Sequence, residues 1–165
     1  MLWNGEISMF EIINQYSGDY ADPLLKIREA GRGVVIENNK ILLTYETNTG
    51  VYMTPGGGLE EDETLEECCV RELREEAGIE VKVIKQFLRI NEYCPECMYV
   101  SNYFICEKVG ECETSLTEIE AEHGAVARWV DIEKALEIFG EYPSKRRDIA
   151  SLYQREYTML NKYFE

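Results

Sequence analysis

Glu72, Glu75 and Glu76 stand at positions i, i+3 and i+4 of a stretch that also carries Cys69, Leu73 and Ala77. At about 100° per residue the three acids span roughly 100° of a helix circumference. The apolar trio fills the adjoining sector, so the acid cluster is expected to be half turned toward the interior. Carboxylates placed there repel one another through a lowered dielectric. A divalent cation removes that repulsion, and hard oxygen donors without a nearby histidine or thiolate suit Mg²⁺ or Mn²⁺ rather than zinc. A solvated acidic face is the other reading of such a triplet in a chain this rich in glutamate. Two neighbours favour the metal site. Arg71, one turn before Glu75, can orient carboxylates by charge-assisted hydrogen bonds. Gly56-Gly57-Gly58 lies just upstream, where bare backbone can approach a ligand closely.

The acids need a helix, and its ends are written in the sequence. Thr64 and Glu67 make a capping box, Leu65–Ala77 forms the body, and Gly78 takes the left-handed terminal position. Upstream, Gly33–Glu37 and Lys40–Tyr45 read as strands joined by a tight turn at Asn38-Asn39. Val51–Thr54 is a third short strand running into Pro55-Gly56-Gly57-Gly58, where the chain is expected to turn. Downstream, Val81–Asn91 and Met98–Glu107 are longer strands joined by a turn around Pro95. Ala127–Val130 is a further short strand, Ile132–Phe139 a short helix, and Lys145–Tyr163 a last helix. On that helix Ile149, Leu152, Tyr153, Tyr157, Leu160 and Phe164 line one stripe. Residues 1–30 are the least readable. Around Phe10, Ile12 and Ile13 they fit either a short amphipathic helix or an added sheet edge. Strands, a helix, strands again and then helices describe an α/β (α+β) chain, a mixed sheet with helices packed on it.

Length and charge narrow the class. The 165 residues fit a single domain, 1–165, with residues 1–30 as an N-terminal extension and 145–163 as a C-terminal helix. With 32 acids against 17 bases the formal net charge is −15, which repels polyanions over most of the surface. Nucleic acid is therefore not expected as a partner. A small phosphorylated ligand is compatible if metal ions supply the positive charge. No apolar run approaches the roughly 20 residues of a membrane span. The first eleven residues lack the basic start of a signal peptide. These features predict a cytoplasmic protein whose six cysteines are reduced thiols.

Gly57-x5-Glu63-x7-Arg71-Glu72-Leu73-x-Glu75-Glu76-x-Gly78-Ile79 resembles the Nudix box at every defined position of that motif. The apolar hairpin, the Pro55-Gly-Gly lead-in and the late Arg-Trp-Val strand extend the resemblance over roughly residues 31–139. It implies a Nudix fold, an α/β/α sandwich with a central mixed β-sheet. The implied activity is hydrolysis of the pyrophosphate linkage in a nucleoside diphosphate joined to another group, X. Glu72, Glu75 and Glu76 would hold one to three Mg²⁺ ions together with the Gly57 carbonyl, and Mn²⁺ could substitute. Glu63 would assist through water or through Arg71. The family often adds an acid from a loop before the last strands; Glu122 is the first choice, with Glu118 and Glu120 behind it. Either Glu72 or that loop acid would take the proton of the attacking water. The implied partner is a small nucleotide substrate, either a nucleoside triphosphate (oxidised or not) or an ADP-sugar. Such proteins often form homodimers. A non-hydrolysing nucleotide-binding module is the alternative, which the intact box disfavours. The single histidine argues against the isomerase branch, and the charge against RNA decapping.

Weaker features complete the reading. Arg28, Arg32 and Arg89 are candidates for a terminal phosphate of the substrate, and Tyr45, Tyr52, Tyr93, Tyr99 and Tyr103 for the walls of a base pocket. Pro95, 16 residues beyond Ile79, resembles the proline mark of ADP-ribose pyrophosphatases. Cys94-Pro-Glu-Cys97 has the spacing of half a zinc knuckle but lacks a second close pair. Cys68 and Cys69 read as small core residues. His123 reads as a solvent-facing loop residue, or as an aid to a water near the site.

Overall fold

Hydrophobic alternation on the first hairpin divides the molecule into two cores. In the computed structural model, which describes residues 10–17 and 26–165, strand β2 (Ile27–Glu37) turns back into β3 (Lys40–Glu46). Asn38 and Asn39 both have positive φ, 50° and 61°, the geometry that matches strand twist in a two-residue turn. Successive side chains on a strand point to opposite faces. Val34, Ile41 and Leu43 therefore enter one core, and Val35 and Leu42 the other.

Six further strands complete the sheet among the described residues. They are β1 (Glu11–Tyr16), β4 (Val51–Met53), β5 (Gly56–Gly58), β6 (Ile79–Tyr93), β7 (Met98–Glu111) and β8 (Ala125–Asp131). The order is β1-β6-β7-β2-β3-β4, with β5 on β2 and β8 on β3. The β1–β6 and β2–β7 pairs are parallel and the others antiparallel, so the sheet is mixed. Of the two readings of the segment around Ile12, the sheet edge holds: β1 pairs residue for residue with Leu88–Tyr93. The rest of the N-terminal extension lies outside the described residues, apart from 26–30. Strand β2 begins at Ile27 rather than Gly33, because β7 supplies parallel partners from Met98 to Cys106. Local residue types do not announce that half of the strand, since its hydrogen bonds come from distant chain.

Helix α1 (Leu65–Ala77) covers one face of the sheet, with Cys69 and Leu73 packed against Val35, Leu42 and Phe104. It lies so close to β2 that a Cβ on Gly31 would meet the Leu65 carbonyl oxygen at 2.7 Å. Helices α3 (Ile132–Gly140) and α4 (Arg147–Tyr163) cover the opposite face over Val34, Leu43, Leu88, Ile90 and Tyr103. The layers are α/β/α. A short helix, α2 (Glu118–His123), occupies the segment before β8 that was expected as a loop. Among the described residues no helix is long and apolar enough to cross a membrane.

The stripe expected on α4 packs into the core as far as Leu160, but Phe164 lies past the helix end and is 52% exposed. Missing from that stripe is a buried polar seam. Arg155 donates to Glu92 (2.7 Å) and Glu156 (3.1 Å). Glu156 also accepts from the Thr54 amide (3.0 Å), the Thr54 hydroxyl (2.7 Å) and the Tyr103 hydroxyl (3.1 Å).

Candidate active site

The capping signals at the ends of α1 set the orientation of its acids. The Thr64 side chain accepts from the Glu67 amide, the Glu67 side chain accepts from the Thr64 amide, and Gly78 closes the helix at φ 66°. With both ends fixed, the 3.6-residue period places Glu72, Glu75 and Glu76 on the flank facing β5. Glu72 is buried, and Glu75 and Glu76 are partly buried.

Arg71 ties this flank together. Its Nε and Nη2 grip both Glu63 oxygens, at 2.6 and 3.1 Å, and Nη1 donates to Glu72 (2.8 Å) and Glu75 (3.1 Å). Nη2 also donates to the Gly58 carbonyl at 3.1 Å. The bidentate guanidinium holds the Glu63 carboxyl below its usual range. Desolvation acts the other way on Glu72, raising its pKa despite Arg71. Glu76 is pushed up to about 8, first by burial and then by the charges of Glu72 and Glu120. It is held by the Thr44 hydroxyl and the Gly56 amide, each at 3.3 Å.

Gly56-Gly57-Gly58 is not a turn, as the sequence suggested, but the extended strand β5, paired with Ala30, Gly31 and Arg32 of β2. None of the three has a positive φ. Glycine is needed at 57 for proximity: a Cβ there would collide with the Glu72 carboxylate. The Gly57 carbonyl accepts from the Cys68 thiol at 3.3 Å. Burial pushes that thiol up to about 11, so it stays protonated at neutral pH. Cys68 and Cys69 are both fully buried.

These residues suit a hard divalent cation on three counts. The donors are carboxylates and a backbone carbonyl, the chemistry such ions prefer. Backbone and carboxylate meet at Gly57 and Glu72 with no Cβ between them. Glu120 Oε2 is buried without a hydrogen-bond partner, and the charge of Glu120 reaches Glu76. As the side chains stand, no three His, Cys, Asp or Glu among the described residues converge on a metal-binding point. Glu72 and Glu75 are turned to Arg71, and a cation would have to draw them from it.

The acid from the segment before β8 is therefore placed differently from the expectation. Glu122 is exposed, and its backbone carbonyl accepts from Asn48. Glu118 is exposed too, whereas Glu120 faces the cluster. The i, i+2 difference on α2 separates them. His123 is bonded through Nδ1 to Glu46 at 2.6 Å.

Arg32 lies beside β5. It donates to the Ser101 hydroxyl (3.1 Å) and the Thr54 carbonyl (3.2 Å), and a Cβ on Gly56 would strike its side chain. Arg28 is exposed, and Arg89 donates to Asn91 at 3.0 Å. Tyr45 packs at a tilt against Tyr52 with Arg128 over its ring, Tyr93 stacks on Tyr16, and Tyr103 belongs to the buried seam. Tyr99 lines a cleft, together with Pro95, Cys94 and Cys97. The Cys94 amide donates to the Cys97 carbonyl at 3.1 Å, closing the turn between β6 and β7.

The raised Glu76 pKa gives a pH signature. The folded state holds this proton up to about pH 8, the unfolded chain only to about 4.5. In the window between, the folded state binds more protons, so stability of the metal-free protein falls as pH rises. The loss is on the order of a few kcal/mol. Urea unfolding in chelator at pH 5.5 and 8 measures it, and Glu76→Gln should flatten the slope. An equal slope in both proteins would assign it to other groups.

The NUDIX domain model matches residues 27–152. An ADP-ribose pyrophosphatase from Methanocaldococcus jannaschii is 37% identical over 84 residues, covering 47% of this chain and 49% of that protein. An NAD-capped RNA hydrolase NudC from Vibrio atlanticus is 47% identical over 55 residues, covering 32% of this chain and 20% of that protein. The chain thus spans less than half the length of either curated relative. The crystal structure of a MutT protein from Methanosarcina mazei Go1 superposes with a TM-score of 0.61 at 19% identity, covering 87% of this chain and 99% of that one. At that identity the likeness is one of fold.

Proposed function

The chain belongs to the NUDIX family, and from that premise we propose that it is a Mg²⁺-dependent pyrophosphohydrolase acting on a nucleoside diphosphate linked to X. The observation that carries the reading is the approach of the Glu72 carboxylate to the side-chain-free Gly57, with the charges of Glu72 and Glu120 bearing on Glu76. Glu72, Glu75, Glu76 and the Gly57 carbonyl would hold the ion, for which Mn²⁺ can substitute. When bound, it supplies charge neutralisation for the phosphate oxygens and a water of lowered pKa. Glu120 takes the proton of the attacking water at Oε2, the oxygen left without a partner. Arg71 positions Glu72 and Glu75, and Glu63 acts through Arg71. Arg32 and the β5 backbone receive the anionic substrate. An ADP-sugar is the leading class, supported by the resemblance to the ADP-ribose pyrophosphatase; a nucleoside triphosphate is the second. The −15 net charge favours such a small substrate over RNA.

Purified protein with Mg²⁺ should release a nucleoside monophosphate from at least one of ADP-ribose, nucleotide sugars, diadenosine polyphosphates and nucleoside triphosphates. Mass identification of products fixes the cleaved bond, and sizing of the same preparation tests the homodimer expected of the family. Turnover should vanish in EDTA and return with added Mg²⁺. Undiminished turnover in chelator would overturn the reading.

A further inference from the structure

A cleft of about 690 Å³ opens between the start of α4 and the β6–β7 turn. That volume lies within the roughly 300–1,000 Å³ typical of small-molecule sites. Its walls are unusual for so acidic a chain, because Arg32, Arg146, Arg147 and Arg155 all contribute. Glu92, Glu96 and Asp148 also line it, but Glu92 is engaged by Arg155 and Asp148 by Arg146. Arg32 and Arg147 have no ion pair among the described residues; their hydrogen bonds go to Ser101, Thr54 and Ser17.

A further observation points to an anion. Arg155 is only 5% exposed, yet its Nε has no hydrogen-bond partner. A buried guanidinium donor left open in the wall of a cavity is costly unless something binds it. Tyr99, Pro95 and Leu152 give the same cleft an apolar side. Arg32 also bears on Glu76 electrostatically, so it is a wall common to the cleft and the acid cluster.

We propose that this cleft seats a phosphomonoester-bearing end of the substrate, with the phosphate at Arg147 and Arg155 Nε, and a ring against Tyr99 and Leu152. The inference rests on the hydrolase reading and deepens it. The preferred substrate carries a phosphate in addition to the scissile pyrophosphate, on the nucleoside sugar or on X.

Three compounds on one scaffold test it: ADP-ribose, its adenosine-side 2′-phosphate and its X-side 1″-phosphate. Their affinities are measured by calorimetry with Mg²⁺, and turnover is recorded alongside. One phosphorylated form should bind at least about tenfold tighter than ADP-ribose, and its identity tells which end enters the cleft. Arg147→Ala, at an exposed position, should bring the ratio close to one. Arg155→Lys, checked for folding by its melting curve, should lower it as well. Equal affinities in the wild type, no binding of any of the three, or a ratio unchanged in Arg147→Ala would overturn the cleft assignment. Turnover without preference leaves the hydrolase reading standing alone; preference without turnover leaves only the cleft.

Discussion

Glu76→Gln should lower kcat by about 10²–10³-fold while making the metal-free protein more stable. Removing one preorganised charged group from such a site typically costs that much. The glutamine keeps the shape and one oxygen for the Thr44 hydroxyl and the Gly56 amide, so the local fold has no reason to change. What disappears is a carboxylate that burial and the charges of Glu72 and Glu120 disfavour. Its removal relieves repulsion above about pH 5, where the unfolded chain would ionise it. Loss of activity together with a gain in stability is the mark of a residue placed for function at the expense of the fold. Steady-state kinetics in saturating Mg²⁺ and melting curves in chelator measure the two halves. A kcat within twofold of wild type would remove Glu76 from the site. A lower melting temperature would show that its charge serves packing.

The second large effect lies in the buried seam, where the sign is opposite. Glu156→Ala should destabilise the protein by about 3–5 kcal/mol, a fall in melting temperature of roughly 10 °C for a chain this size. Glu156 is fully buried and accepts from the Thr54 amide and hydroxyl, the Tyr103 hydroxyl and Arg155. The substitution leaves these donors open and weakens the compensation of a buried guanidinium. Burial alone would raise the Glu156 pKa, but Arg155, Arg32 and the Thr54 bonds outweigh it and the carboxyl is held below its usual value. Its contribution is thus complete above the ordinary carboxylate range and is lost as pH falls through the folded-state pKa. Urea unfolding of Glu156→Ala and Glu156→Gln at pH 7 checks this, with the smaller loss for glutamine, which keeps an acceptor. A loss below about 1 kcal/mol for alanine would mean that water replaces the carboxylate without penalty.

The acid triplet and Arg71 were legible because their relation is set within one helix. Thr64, Glu67 and Gly78 mark its ends, and the 3.6-residue period does the rest. The Asn38-Asn39 hairpin was legible for the same local reason. Three features were not. The first half of β2 carries Arg28, Glu29 and Arg32, polar residues without a strand pattern of their own, whose partners come from β7. On α4 the apolar stripe was visible, but Arg155 and Glu156 look in sequence like solvent charges. Their burial follows only from Glu92 on β6, Tyr103 on β7 and Thr54 just after β4. In the segment before β8, several glutamates at close spacing gave no ground for preferring Glu120 over Glu122 until α2 fixed which of them faces Glu76.

From the sequence alone came the family resemblance, the mixed α/β class, the helix bearing Glu72, Glu75 and Glu76, and the demand of those acids for a hard cation. Each follows from contacts a few residues apart, where covalent geometry and the helical period leave little freedom. The tertiary structure decided that Gly57 leaves room for the Glu72 carboxylate, that the charge of Glu120 bears on Glu76, and that four arginines gather at a cleft in a chain of net charge −15. These depend on strand pairing and helix docking between distant segments, which no local pattern encodes. Arg32 and Arg155 lie 123 positions apart in the chain, and packing of α4 against the sheet makes them walls of one cleft.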